Sequence, residues 1–98
     1  MRRREAREKT LQALYQMDIR KNHWEEAMAS VLEGESPSDT SFLRQLLEGV
    51  SRHLEELDER LKPLARNWNW DRLSLVDRNI LRLAAYEILY LEEIPLKV

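Results

Sequence analysis

Apolar residues recur at the spacing of an α-helix through the middle of this 98-residue chain, from Phe42 to Leu64. At about 100° per residue they stay within roughly 140° of the helix circumference. Pro63 lacks an N–H to donate and would clash with the carbonyl of Glu59. The pattern therefore predicts a helix that kinks or breaks within residues 53–59, with both parts burying the same stripe. The members of the stripe are Phe42, Leu43, Leu46, Leu47, Val50, Leu54, Leu57, Leu61 and Leu64.

Two helices are predicted ahead of this stripe. The first covers about residues 4–20, because its apolar positions repeat at three- and four-residue intervals along one face. The second is short and covers about residues 24–33. The stretch at 33–41 is rich in Ser, Pro, Gly and acidic residues and is predicted to be a loop, after which Ser38 or Asp39 offers an N-cap for the next helix.

The clearest local signal is a capping box, SLVD at residues 74–77, in which a serine oxygen accepts the N–H of the third helical residue. It opens a helix reading LVDRNILRLAAYEILYL, which is apolar in nearly every direction and therefore needs neighbours on most sides. Arg78, Asn79 and Arg82 interrupt the apolar surface, so we expect them to mark the side that reaches water.

The segments on either side of this helix carry weaker signals. NWNW at 67–70 is a connector whose tryptophans are expected to plug the end of the core rather than stack on bases. In EEIPLKV at 92–98, Pro95 suits the first position of a further helix. Since this chain supplies few partners for the central helix, we expect further chain or another molecule to cover its apolar face.

Composition restricts the class of protein. Two glycines and three prolines leave room for few turns, which favours an all-α fold in a single domain over residues 1–98. No apolar run approaches the roughly 18 residues that a membrane helix needs. The absence of cysteine excludes disulfides and thiolate sites and suits a cytoplasmic protein.

Charge is distributed unevenly along the chain. Residues 1–24 carry a net charge of +4, residues 25–59 carry -8, residues 60–82 carry +4 and residues 83–98 carry -2. The chain begins MRRREAR, and arginines at a helix N-terminus oppose the helix dipole. The run is either a solvated helix start or a patch for a polyanion. Helical geometry places Arg4, Leu11 and Tyr15 on one edge, with Arg7 beside them.

The sequence contains no recognisable catalytic motif. With only Gly34 and Gly49, neither a P-loop nor a dinucleotide-binding loop can be built. His23 and His53 lack partners at metal-ligand spacing, so neither a metal site nor a cofactor is expected. The carboxylates at 55–59 are expected to form a solvated helix face. We therefore expect a binding protein rather than an enzyme.

Three segments in order carry a resemblance to a known family. They are RRREAREKTLQALYQMD at 2–18, LSLVDRNILRLAAYEILY at 73–90 and EIPLKV at 93–98. Together they resemble the NusB family of bacterial transcription antitermination factors. The resemblance covers nearly the whole chain and is weakest in 22–40.

The resemblance implies a helical fold of two small three-helix bundles packed crosswise, here incomplete at the C-terminus because the family's last two helices are lacking. It also implies binding of boxA RNA together with NusE, a small-subunit ribosomal protein, so that RNA polymerase reads through terminators in ribosomal RNA operons. Other Nus factors and the polymerase would be indirect partners, and a homodimer is possible.

Residue by residue, the resemblance assigns RNA binding to the arginine-rich start and to the tyrosine of the first helix. It places the acid that opens the central helix near the RNA and partner surface, with two arginines close by. Glu5 departs from the family's arginine run and would repel phosphate. The RNA-binding residues are Arg2, Arg3, Arg4, Arg7 and Tyr15, and the RNA or partner surface adds Asp77, Arg78 and Arg82.

Two alternatives remain open. One is the NusB-like N-terminal domain of a ribosomal RNA cytosine methyltransferase, which would need a downstream cofactor domain and a catalytic cysteine. The other is a NusB-like structural module that self-associates through the surface that its relatives use for RNA.

Overall fold

A computed structural model describes residues 1–34, 39–65 and 69–91. These residues form helices and turns and contain no strand, so the predicted all-α class is confirmed. None of the helices described is long and apolar enough to cross a membrane. The helices are α1 (Arg3–Arg20), α2 (Trp24–Val31), α3 (Ser41–Arg52), α4 (Leu54–Leu61) and α5 (Leu75–Tyr90), with 3₁₀ turns at Lys62–Leu64 and Trp70–Arg72.

Local signals set where two of these helices begin. The Ser74 Oγ accepts the Asp77 backbone N–H at 3.0 Å, which confirms the predicted cap of α5. Asp39 Oδ1 accepts the Ser41 backbone N–H at 3.0 Å and the Ser41 hydroxyl at 2.8 Å. These hydrogen bonds hold the pKa of the Asp39 carboxyl below its usual value, with the backbone bond contributing most. Ser38, the other predicted cap, lies outside the described residues.

The long apolar stripe is divided as predicted. The helix breaks at His53, between α3 and α4, and Pro63 follows in a 3₁₀ turn. The stripe supplies much of the core, since Leu43, Leu46, Leu47, Val50 and Leu57 are fully buried. Its last member, Leu64, is exposed.

A glycine lets α3 and α5 approach closely. A Cβ at Gly49 would overlap the ring of Tyr86. The missing side chain therefore makes the space that Tyr86 fills in the core. Trp70 is also buried, as a residue that plugs the end of the core would be, whereas Trp68 lies outside the described residues.

Helix α1 is central to the arrangement and contacts α2, α3 and α5, while α4 packs against α5. Arg7 contacts Glu87, and Asp18 contacts Asn79, so α1 and α5 are antiparallel. The arginine-rich start of α1 consequently lies beside the C-terminal end of α5. Pro95 and the rest of 92–98 lie outside the described residues.

Candidate nucleic-acid interface

The N-cap residue and the first turn of α1 present three arginine side chains to solvent. Arg2, Arg3 and Arg4 are all exposed. The Arg4 side chain is 92% exposed and forms a loose ion pair with Glu8, with the Arg4 Nε 3.6 Å from the Glu8 Oε1. An exposed pair at this spacing contributes only a few tenths of a kcal/mol, about 0.3–0.5, so it leaves Arg4 accessible to a ligand.

Arg3 contacts an aromatic ring that no sequence pattern associates with the arginines. Its Cζ lies over the ring of Phe42 at 4.3 Å from the centroid. Phe42 is in the first turn of α3, is half-buried and packs against the core. This contact depends on the packing of α1 against α3, so no local pattern around either residue indicates it.

Arg7 is held by a carboxylate from α5. Its Nε donates to both Glu87 carboxylate oxygens at 3.1 and 2.9 Å, and its Nη2 donates to Oε1 at 2.8 Å. These hydrogen bonds raise the pKa of the Arg7 guanidinium above its usual value, so it stays charged at any physiological pH. The Arg7 Cζ is also 5.6 Å from the Phe42 centroid.

Tyr15 lies farther along α1. It is 45% exposed and shares the outer edge of the helix with Arg4, as expected. Eleven residues separate the two, which corresponds to about 16 Å along the helix axis. Arg4 and Tyr15 therefore form one elongated surface, while the aromatic ring that Arg3 and Arg7 contact is that of Phe42.

Asp77 and Arg78 are not brought together with the N-terminal arginines. Because α1 and α5 are antiparallel, Asp77 lies near the C-terminal end of α1, where its side chain is exposed. The Arg78 Nε donates to the Leu73 carbonyl at 3.2 Å, and its Nη2 donates to the Asp71 carbonyl at 3.0 Å. Arg78 thus satisfies carbonyl groups of the turn that precedes α5.

Arg82 is buried, so the expectation that it faces water is wrong. Its Nε and Nη2 donate to the two Asp58 carboxylate oxygens at 2.7 and 2.8 Å. Its Nη1 donates to the Asn79 Oδ1 at 3.0 Å, and Asn79 Nδ2 donates to Asp18 at 2.9 Å. Asn79 is buried as well. The polar residues of α5 therefore join α1, α4 and α5 instead of marking the solvent side.

The side of α5 that reaches water is apolar. Val76, Ile80, Ala84 and Ile88, spaced four residues apart, are all exposed, with Ile88 at 64%. Beside this row, an open groove of about 460 Å³ separates α5 from α4 and the following turn. Its apolar lining comprises Leu61, Leu64, Leu81, Ala84, Ala85, Ile88 and Leu89.

The described residues contain no group of three or more His, Cys, Asp or Glu side chains suited to a metal ion. His53 stacks on the ring of Tyr90 at 4.3 Å between centroids. His23 caps α2 by accepting the Glu25 backbone N–H. Both histidines thus have structural contacts. Accessible guanidinium groups dominate the chemistry of the α1 start, and such groups suit phosphate oxygens and base edges.

Comparison with known proteins agrees with this description. A model of the NusB family matches residues 4–98. The chain is 48% identical over its full length to the transcription antitermination protein NusB of Bacillus licheniformis, covering 74% of that protein. It is 47% identical over its full length to the NusB protein of Bacillus subtilis strain 168, covering 73% of that protein. The NusB protein of Listeria monocytogenes is 42% identical over the full chain, which covers 74% of it.

A solved structure is also similar. A chain in "Crystal Structure of a Plectonemic RNA Supercoil" matches with a TM-score of 0.83 and 31% sequence identity. The match covers 96% of the present chain and 71% of that chain. The family match over residues 4–98, the identities to several NusB proteins and the all-helical architecture agree, and the chain belongs to the NusB family.

Proposed function

We propose that this protein is a transcription antitermination factor that binds boxA-type single-stranded RNA together with NusE. Through that complex it acts on RNA polymerase, with the other Nus factors as indirect partners, during transcription of ribosomal RNA operons. It contributes binding rather than catalysis. The observation that carries the proposal is the cluster of accessible guanidinium groups at the start of α1, in a chain whose curated relatives are antitermination proteins.

The proposed RNA surface begins at the N-terminus of α1 and continues along its outer edge. Arg2, Arg3, Arg4 and Arg7 would contact phosphates and base edges, and the exposed ring of Tyr15 would stack on a base. The acidic segment 25–59, with a net charge of -8, would keep RNA on the basic side and attract a basic ribosomal protein.

Asp77 and Arg78 belong to a second part of the proposed surface, at the opposite end of α1. The exposed Asp77 carboxylate adjoins the apolar row of α5 and suits a protein partner better than RNA. Arg82 would act indirectly, by fixing α5 against α1 and α4.

A salt titration of RNA binding tests the proposal. Arg4→Glu should weaken binding of a boxA-type single strand and make log K less dependent on log salt by about 0.7 per lost phosphate contact. Arg7→Glu should do the same, with a further loss because the introduced carboxylate would face Glu87.

Arg52→Glu is the matched control, since Arg52 is also exposed and forms the same type of ion pair with Glu48, but in the acidic segment. Filter binding over a range of salt concentrations measures all three variants. An unchanged salt slope for Arg4→Glu, or an equal loss for Arg52→Glu, would contradict the assignment. Light scattering with and without RNA would show whether a homodimer competes for this surface.

A further inference from the structure

Carboxylates lie near the four arginines at the start of α1 and offset part of their charge. Arg2, Arg3, Arg4 and Arg7 are accompanied by Glu5 and Glu8 on the same helix and by Glu87 from α5. Phosphate attraction scales with the number of uncompensated cations, so these carboxylates weaken the electrostatic part of RNA binding. A non-ionic contact would add to the affinity that the remaining charge provides.

The geometry at Phe42 supplies such a contribution. The Arg3 Cζ lies 4.3 Å from the Phe42 centroid, which is within the range of a cation–π contact. Phe42 is anchored in the core, so it holds the guanidinium against a fixed surface. Arg3 itself is exposed, and within the described part of the chain its side chain forms no ion pair. The Arg3 side chain is therefore accessible to a base from the solvent side.

We propose that Arg3, positioned by Phe42, is a stacking site for one nucleobase of single-stranded RNA. The base would lie on the outer face of the guanidinium, giving a base–arginine–phenylalanine stack. Guanidinium planes are known platforms for unstacked RNA bases. This proposal rests on the proposed function, because it takes single-stranded RNA as the ligand of the α1 surface.

Arg7 fixes where the adjoining phosphate would lie. Its guanidinium is 5.6 Å from the same ring, and Glu87 engages its Nε and Nη2. Among the described residues, the Arg7 Nη1 has no hydrogen-bond acceptor, so it is the group that would donate to a phosphate oxygen. Arg3 would thus carry the base contact, and Arg7 would carry a neighbouring backbone contact in a fixed orientation.

Arg3→Lys separates stacking from charge, because lysine keeps the cation and removes the planar group. Binding is measured with a boxA-type RNA oligonucleotide and with a set of oligonucleotides in which one nucleotide at a time is abasic. Arg3→Lys should bind intact RNA about tenfold more weakly than wild type, with an unchanged salt slope. An abasic nucleotide at one position should weaken binding to the wild type by a similar factor and barely change binding to Arg3→Lys.

Phe42→Leu tests the positioning role, since leucine keeps an apolar contact with the core but provides no ring. It should weaken RNA binding at least threefold with a native far-UV circular dichroism spectrum, again without changing the salt slope. If Phe42→Leu unfolds, the abasic series with Arg3→Lys still decides the matter. Equal affinities of wild type and Arg3→Lys, or equal sensitivity of both to every abasic position, would overturn the stacking site. Failure of the wild type to bind any RNA would instead overturn the proposed function.

Discussion

Arginine side chains lie at two places along the antiparallel α1–α5 pair, and their surroundings differ. One is the start of α1, and the other is a network that runs from the middle of α5 toward the C-terminal end of α1. At the arginine end, formed by Arg2–Arg7 with Phe42 and Glu87, most guanidinium groups reach solvent. At the network end, formed by Asp18, Asp58, Asn79 and Arg82, the guanidinium is enclosed and its hydrogen bonds are satisfied within the protein. The same side chain is thus accessible to a ligand in one place and joins helices in the other.

The difference follows from what each guanidinium finds within reach. Arg82 has two carboxylates and an amide around it from three helices, so its charge is compensated where water is excluded. Arg4 has one exposed glutamate on its own helix and is otherwise surrounded by solvent. Burial therefore determines whether an arginine contributes to stability or is free for recognition.

The largest loss of stability on mutation is expected at the network end. Arg82→Met would leave Asp58 and Asp18 without their cation in a largely enclosed site, so the free energy of unfolding should fall by about 3 kcal/mol. Urea unfolding followed by circular dichroism measures this loss. Arg4→Met is the matched control and should stay within about 0.5 kcal/mol of wild type. A similar small loss for both variants would mean that burial does not distinguish the two ends.

An intermediate effect is expected for Arg7, whose side chain is 39% exposed while its partner Glu87 is 12% exposed. Arg7→Met would remove the hydrogen bonds to Glu87, and solvent screening would limit the loss of unfolding free energy to about 1 kcal/mol. In the same urea titration, the loss of unfolding free energy for Arg7→Met should lie between those for Arg82→Met and Arg4→Met. A loss as large as that of Arg82→Met would show that the arginine end is as tightly coupled as the network end.

The smallest effect is expected for Glu5, which interrupts the exposed arginine run. Glu5→Arg should lower the free energy of unfolding by only about 0.5 kcal/mol, because it replaces the acidic residue in the first turn of α1. It should tighten RNA binding severalfold at low salt, with a salt slope steeper by about 0.7 for one added phosphate contact. Filter binding measures this change. The control is Glu26→Arg, which makes the same change in net charge at an exposed residue of α2. An equal gain for both variants would indicate attraction without a defined contact.

Much of the fold could be predicted from the sequence, because the signals were local. The Ser74 cap, the helix break near His53 and the bounds of α1 and α5 each depend on residues within one or two turns. The exposure of Arg4 and Tyr15 could also be predicted, since helical spacing places them opposite the buried face of α1.

The parts that could not be predicted involve contacts between helices. The sequence places Phe42 only in the apolar stripe, because its distance to Arg3 depends on how α3 packs against α1. The sequence leads to the wrong side for Arg82, because α5 is apolar all round and this pattern leaves open which side is buried. The structure buries the polar side and exposes the apolar row containing Ile80 and Ile88.

The order of residues along the chain is enough to specify the helices, their caps and breaks, and the presence of guanidinium groups at the start of α1. The packing of the helices specifies which guanidiniums reach solvent, which aromatic ring lies under Arg3, and which end of α5 adjoins the arginines. The two kinds of information differ in range. Helix signals act through hydrogen bonds and spacing within a few residues, whereas the burial of a charge depends on partners from other helices, which only packing brings together.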